Sequence, residues 1–498
     1  MTEQKNWLAL ATVAALGGLA PFTVWAASPP NIVLILSDDQ AWTDYGFMGH
    51  AHIKTPNLDR LAADGVTFRR GYVPTALCRP ALMTLATGHY AHRHGITGNS
   101  PSRNRAEYGG KLYNQRLGEL ISFIDRFDTL PELLVERGYL CHQSGKWWEG
   151  SYKRGGFTHG MTRGFSNGQN SARKEKESYY DYGIRVPRAG DDGLVIGREG
   201  NEPVEQFVDM AIEKQEPFFL WYAPWMPHIP HTPPKRLLAR YVEAGLPSRV
   251  AKYYAMCEWF DEACGKLIDY LEKKGVRDNT LIVYVTDNGW IQDPKSGSHL
   301  PRSKASPYEG GVRTPIMFSW PDRLRPADRK EVVSSIDIVP TILAAAQARI
   351  PADLPGLNLL PNLEAATPIQ REIIFGEKFA HNIADINDPE ASLTFRWCIA
   401  GKWKLVLTYD GEVVRTSEIW DARTGTEPQL FDLMKDPHEK NNVAADHPQV
   451  VARLAHQIAQ WYPVTKRKVE TTVKKSAGAE SPIAAEPVAQ GQGKTASQ

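Results

Sequence analysis

Four short apolar runs in this chain are each followed at once by residues able to do chemistry. Ser37-Asp38-Asp39-Gln40 follows Asn31–Leu36, and Thr286-Asp287-Asn288-Gly289 follows Leu281–Val285. Ser144-Gly145-Lys146 follows Tyr139–Gln143, and a segment with His228 and His231 follows Phe218–Tyr222. Asp38, Asp39, Asp287 and Asn288 offer only oxygen, which suits a hard divalent cation, Ca²⁺ or Mg²⁺, rather than zinc. Either pair alone reads first as turn or helix-capping chemistry. Two such pairs behind two buried runs favour a metal.

A fifth segment, Thr75 to Gly88, contains Cys78-Arg79-Pro80. Pro80 fits a first helical position and Gly88 the position just past the end, which predicts a helix over 80–87. Cys78 then precedes a helix N-terminus, where the dipole and free N–H groups favour an anion or a thiolate. A cysteine in such a place is more often a small buried residue than a catalyst. No arginine follows at the spacing that cradles phosphate, so cysteine-dependent phosphatase chemistry is excluded. Five cysteines in 498 residues form no disulfide framework, and the odd count leaves at least one unpaired.

These residues need a scaffold that brings the ends of separate strands together. The continuous apolar runs are of the kind buried on both faces of a parallel sheet, and ligands of open α/β sheets sit beyond the carboxyl ends of the strands. Between them a helical stripe runs from Lys252 to Lys274, with Tyr253, Met256, Cys257, Phe260, Cys264, Leu267 and Leu271 on one face. Gly275 is placed to end it. The expected fold is α/β: a large, mostly parallel central sheet flanked by helices, with a smaller C-terminal α+β subdomain. Composition shifts at Pro340–Pro361, read as loop-rich, and the alternation at Trp403–Thr408 suggests a small antiparallel sheet. The division is 28–350 for the catalytic domain and 351–465 for the subdomain. The tail 466–498, poor in large apolar residues, is expected to be disordered.

The apolar fraction is 42% and 58 basic residues face 57 acidic ones, so ordinary globular composition applies and charge offers no case for nucleic acid. An uncharged run from Trp7 to Val24 ends in Val24-Trp25-Ala26-Ala27. It reads as a signal peptide over 1–27, with export to the periplasm or the extracellular space; an uncleaved anchor is the alternative. No later segment suggests stable membrane insertion.

Taken in order, the motifs resemble the formylglycine-dependent sulfatases of the alkaline phosphatase superfamily. The landmarks are Asn31 to Asp39, Thr55-Pro-Asn-Leu-Asp-Arg-Leu61, Cys78-x-Pro80 to Thr87-Gly88, and Tyr90-Ala-His-Arg-His-Gly95. Gly145-Lys-Trp147, Pro227-His228, Thr286-Asp-Asn-Gly289, Lys304 with Glu309-Gly-Gly-Val-Arg313, Phe431-Asp-Leu433 and Asp436-Pro437 follow. The resemblance implies that a maturation enzyme oxidises Cys78 to formylglycine (3-oxoalanine), whose hydrate is the nucleophile. It implies that Asp38, Asp39, Asp287 and Asn288 hold the cation, while Lys146, Lys304 and His228 bind and polarise the sulfate or, for His228, protonate the leaving oxygen. His231, Arg79 and His92 are expected on the substrate side, and a sulfated small molecule or glycan is the expected substrate. Two positions depart from the family pattern. Leu82 stands where its arginine would be and Trp148 where its histidine would be, with Arg79 a candidate substitute for the first. The competing readings are a phosphodiesterase or phosphonate hydrolase of the same fold, and a catalytically silent relative that binds sulfated glycan.

Overall fold

Apolar, β-branched runs build the centre of an eight-stranded sheet in the computed structural model, which describes residues 28–101, 111–162, 195–409 and 427–464. The expected signal peptide and the whole expected C-terminal tail, 466–498, lie outside the described residues. In chain order the strands are β1 (Asn31–Ser37), β2 (Val66–Tyr72), β3 (Ser100–Pro101), β4 (Leu140–Gly145), β5 (His159–Gly160), β6 (Phe218–Ala223) and β7 (Thr280–Thr286). They continue with β8 (Arg313–Ser319), β9 (Ala327–Ser334), β10 (Ile374–Phe379), β11 (Asn382–Ile383), β12 (Leu393–Ala400), β13 (Trp403–Thr408) and β14 (Gln429–Asp432). The large sheet has the order β5-β4-β6-β1-β7-β8-β2-β9, and β3 pairs with β11 apart from it. Only β8 runs against its neighbours, β7 and β2, so the sheet is mixed but mostly parallel.

Along β1 the side chains alternate between two cores. Ile32, Leu34 and Leu36 enter one, Val33 and Ile35 the other, as a strand covered on both faces requires. The long helix Ser248–Lys273 covers the second face, and its expected stripe is buried at every position named above. The helices Cys78–Thr87 and Ile338–Ala345 pack into the first. The second of these corrects the expected loop at 340–361: Ile338, Val339, Ile342 and Leu343 form a buried apolar helix that carries Pro340 in its first turn, where a proline N–H is not missed.

The C-terminal sheet, β10-β12-β13-β14, is antiparallel throughout. Phe395, Trp397 and Ile399 of β12 join the core of the large sheet, while Cys398 faces Leu454 and Ile458 of the helix Pro448–Trp461. The subdomain is thereby seated on the segment around Cys78, with Glu377 N–H donating to Pro74 O at 2.9 Å. Among the described residues no helix is long and apolar enough to cross a membrane.

Candidate active site

The four strands that end in polar residues are neighbours. β1 and β7 pair in parallel register with Ser37 opposite Thr286, so Asp38-Asp39 and Asp287-Asn288 leave the sheet side by side. On the other flank β6 lies beside β1 and β4 beside β6, with Gly145 opposite Ala223. Gly145 has φ +78°, and a Cβ there would sit 1.9 Å from Ala223 O; only glycine permits the turn that delivers Lys146.

The side chains converge. Lys146 Nζ donates to Asp38 Oδ2 at 2.6 Å and stands 3.5 Å from Asp287 Oδ2. Lys304 Nζ reaches Asp39 Oδ1 at 2.5 Å and the Cys78 sulfur at 3.1 Å. Asn288 Nδ2 donates to Asp39 Oδ1 at 2.6 Å, and His228 Nε2 is 3.4 Å from Asp39 Oδ2. Asp39 itself adopts a left-handed backbone, φ +64°, which turns its side chain back among the others. Lys146, Lys304 and the three aspartates are all buried.

Burial sets the electrostatics. It raises the Asp38 and Asp287 carboxyls, Asp287 to about 7 with the Asp38 charge adding to the effect. At Asp39 burial also acts upwards, but Lys304, His228 and Lys146 overcome it and hold the group well below the usual carboxylate range. Burial drives His228 down to about 3 and His231 to about 4, so both rings are neutral near pH 7. The Cys78 thiol is pushed far up by burial, against the pull of the two lysines, and is no thiolate nucleophile as it stands.

Asp39 Oδ2, Asp287 Oδ2 and Asn288 Oδ1 are buried without a hydrogen bond. Buried oxygens go unpaired rarely, and three on one wall with two ammonium groups beside them make a donor set that fits a hard divalent cation.

Cys78 begins its helix rather than preceding it: the helix runs Cys78–Thr87, because Leu77 takes the capping place and its carbonyl accepts from Ala81 N–H at 3.0 Å. Gly88 ends it at φ +73°. Leu82 is 3% exposed within the main core. Trp148 is also buried, with its ring 5.8 Å from Lys146 Nζ and its indole N–H unbonded. Trp147 packs edge-on against Phe157 and Trp221.

The matching family models are Sulfatase over residues 30–348 and N-sulphoglucosamine sulphohydrolase, C-terminal, over 297–462. The chain belongs to the sulfatase family. N-acetylgalactosamine-6-sulfatase of Homo sapiens is 28% identical over 468 residues, covering 87% of this chain and 86% of its own. Arylsulfatase A of Bos taurus is 29% identical over 494 residues, covering 90% and 89%. The solved structure of Ps i-CgsB in complex with k-i-k-neocarrahexaose is 25% identical with a TM-score of 0.64, covering 87% of this chain and 92% of that one.

Of the three expected substrate contacts of this sulfatase, two have other surroundings. The Arg79 guanidinium is locked on Glu149, both side chains buried, so it does not fill the place left by Leu82. His92 pairs with Glu377 at 2.7 Å and stacks on Tyr462 at 4.2 Å, which makes it a brace to the C-terminal helix rather than a substrate ligand. His231 lies by the site, beside Tyr253 and Trp290, with its Nε2 buried and unbonded.

Other positioning residues of the sulfatase fold escaped sequence reasoning. Tyr253 O–H donates to Asp44 and lies 3.2 Å from Asp39 O, which steadies the left-handed turn. Glu439 Oε2 accepts from Glu309 N–H at 2.6 Å, and Glu439 O accepts from Arg302 at 2.6 Å. The loop that presents Lys304 is thus held at both ends by one residue of the C-terminal half. Buried Lys404 pairs with both Glu309 and Glu439. Glu309 lies within a recognised motif and Glu439 stands two residues past Asp436-Pro437; the bond between them, across 130 residues of chain, is written in neither motif.

Proposed function

We propose that this sulfatase hydrolyses sulfate esters of carbohydrates, with formylglycine derived from Cys78 as nucleophile and Ca²⁺, or Mg²⁺, as the cation. The observation that carries the reading is the meeting of Cys78, Lys304 and Asp39 at 3.1 and 2.5 Å beside three unpaired buried oxygens. The relatives named for N-acetylgalactosamine-6-sulfate and the complex with neocarrahexaose support a sulfated saccharide as substrate.

Asp38, Asp39, Asp287 and Asn288 would hold the cation, which supplies a fixed positive charge for the sulfate oxygens. Once formed at position 78, the formylglycine hydrate would supply a hydroxyl nucleophile, which a buried, protonated thiol does not. Lys146 and Lys304 bind the sulfate and stabilise the charge that gathers on its oxygens as the S–O bond breaks. Neutral His228 donates through Nδ1 to Ile229 O at 2.6 Å, so Nε2 carries a lone pair. That atom takes up a proton as attack proceeds and delivers it to the leaving oxygen. Burial of both lysines and all three aspartates excludes bulk water and strengthens each of these interactions.

The proposal extends to export behind a cleaved signal peptide over 1–27, conversion of Cys78 by a formylglycine-generating enzyme, and the division at residues 350 and 465. The test is sulfate release from a 6-sulfated N-acetylgalactosamine oligosaccharide by protein from its native host, with the mass of the peptide containing residue 78. The expected result is an aldehyde at position 78, sulfate release, and none from Cys78→Ala. Turnover of phosphonate or phosphate diester alone, or activity from an unmodified thiol, would overturn it.

A further inference from the structure

The all-oxygen set is not the only group of metal donors in this site. One atom from each of Asp38, Asp39, Cys78 and His228 lies within 4.8 Å of the other three. Ligands on a tetrahedral zinc, with bonds of about 2.0–2.3 Å, stand about 3.3–3.8 Å apart. His228 Nε2 to Asp39 Oδ2 is already 3.4 Å, and Cys78 Sγ to Asp38 Oδ1 is 3.9 Å. The remaining pairs lie within 4.8 Å.

Two further observations point to a ligand. Asp39 Oδ2, on a residue 1% exposed, has no hydrogen bond. The His228 ring is held by Nδ1–H on Ile229 O, the outer contact that fixes a metal-binding imidazole with its Nε2 lone pair inward. We propose that, in the chain whose Cys78 is still a thiol, Cys78 Sγ, His228 Nε2 and one oxygen each of Asp38 and Asp39 form a zinc site. Sulfur and imidazole select zinc over calcium, and two carboxylates complete four ligands.

Formal charge agrees. With the thiol proton released to solvent, Cys78, Asp38, Asp39 and Asp287 carry four negative charges against two positive ones on Lys146 and Lys304. One Zn²⁺ brings the cluster to zero, leaving no net charge to attract a sulfate. Replacing the sulfur removes both the soft ligand and one negative charge, so the same pocket then prefers a hard cation and carries a net positive charge. Oxidation of Cys78 is therefore a change of metal as well as of nucleophile.

The zinc site requires only the thiol form and does not depend on conversion ever taking place. The experiment uses full-length protein from a host lacking the maturation enzyme, with the thiol at 78 verified by peptide mass, stripped with chelator and titrated anaerobically with Co²⁺, then Zn²⁺. One equivalent of Co²⁺ should give a thiolate-to-cobalt charge-transfer band that one equivalent of Zn²⁺ abolishes. Cys78→Ser should lack the band and bind zinc on the order of 10²-fold more weakly, and His228→Gln should weaken binding similarly. Asp287→Asn should keep the band. Cobalt bound without the band, or unchanged zinc affinity in a Cys78→Ser protein that melts like wild type, would overturn the proposal. Failure of converted protein to release sulfate would instead count against the function proposed above and leave the zinc result standing.

Discussion

Arg79 and Glu149 face each other as a two-pronged ion pair, with Nε to Oε1 at 2.7 Å and a terminal guanidinium nitrogen to Oε2 at 2.6 Å. Both side chains are essentially inaccessible, at 1% and 0% exposed. The pair ties the first turn of the Cys78 helix to the loop just beyond Lys146 and Trp148. Arg79→Ala would leave Glu149 charged and alone in the interior, a change that costs about 3–5 kcal/mol. The expected outcome is a large fall in the unfolding midpoint, measured with denaturant, that Arg79→Met combined with Glu149→Leu largely restores. A substrate-binding Arg79 would give normal stability and a raised KM instead.

Lys304 and Lys146 should be separable from the fold. Lys304 Nζ lies 3.1 Å from the Cys78 sulfur and Lys146 Nζ 2.6 Å from Asp38 Oδ2, so on the proposed function Lys304→Ala or Lys146→Ala should lower kcat on the order of 10²-fold or more. Sulfate release under saturating substrate measures it.

Glu439 acts at a distance through the loop it holds. Glu439→Ala frees Glu309 N–H and leaves buried Lys404 with Glu309 alone. Lower kcat is expected with Lys304 present and no further loss when Lys304→Ala is already in place, because residues acting through one another are not additive. A double-mutant cycle on kcat decides the point. Equal losses in both backgrounds would mean that Glu439 serves stability only.

On the proposed ligation, Asp287 links the cation to pH. In the metal-free protein its carboxyl is raised from 3.8 to about 7 by burial and then by Asp38, so it holds a proton at pH 6 that a cation must displace. Calcium affinity should therefore fall about tenfold per pH unit below 7, as one proton is exchanged per ion bound. Folded apoprotein binds more protons here than the unfolded chain, so this group's contribution to stability is present below pH 4 and is lost as pH rises towards 7. Bound cation reverses that trend. Calorimetric titration at pH 5, 6 and 7, and melting with and without calcium, test both signs; Asp287→Asn should flatten the affinity profile.

Much of this site was legible in one dimension, for a physical reason. Strands buried on both faces must be continuously apolar, so the first polar residues after Leu36, Gln143, Tyr222 and Val285 had to mark the carboxyl edge of a sheet. Local chemistry also announced the Cys78 helix and the long amphipathic stripe to Leu271. What the chain could not state locally was which edges touch. The order β4-β6-β1-β7 arises from pairing between segments distant in the chain, Leu140 with Phe218, Ile32 with Phe219 and Ser37 with Thr286, and that adjacency alone turns four polar loops into one cluster. The same folding brought His228 and Cys78 up to carboxylates that had read as an oxygen-only set, and took Arg79 and His92 away to buried partners. A charged side chain's partner is decided by desolvation and distance in the folded interior, and neither is written in sequence spacing.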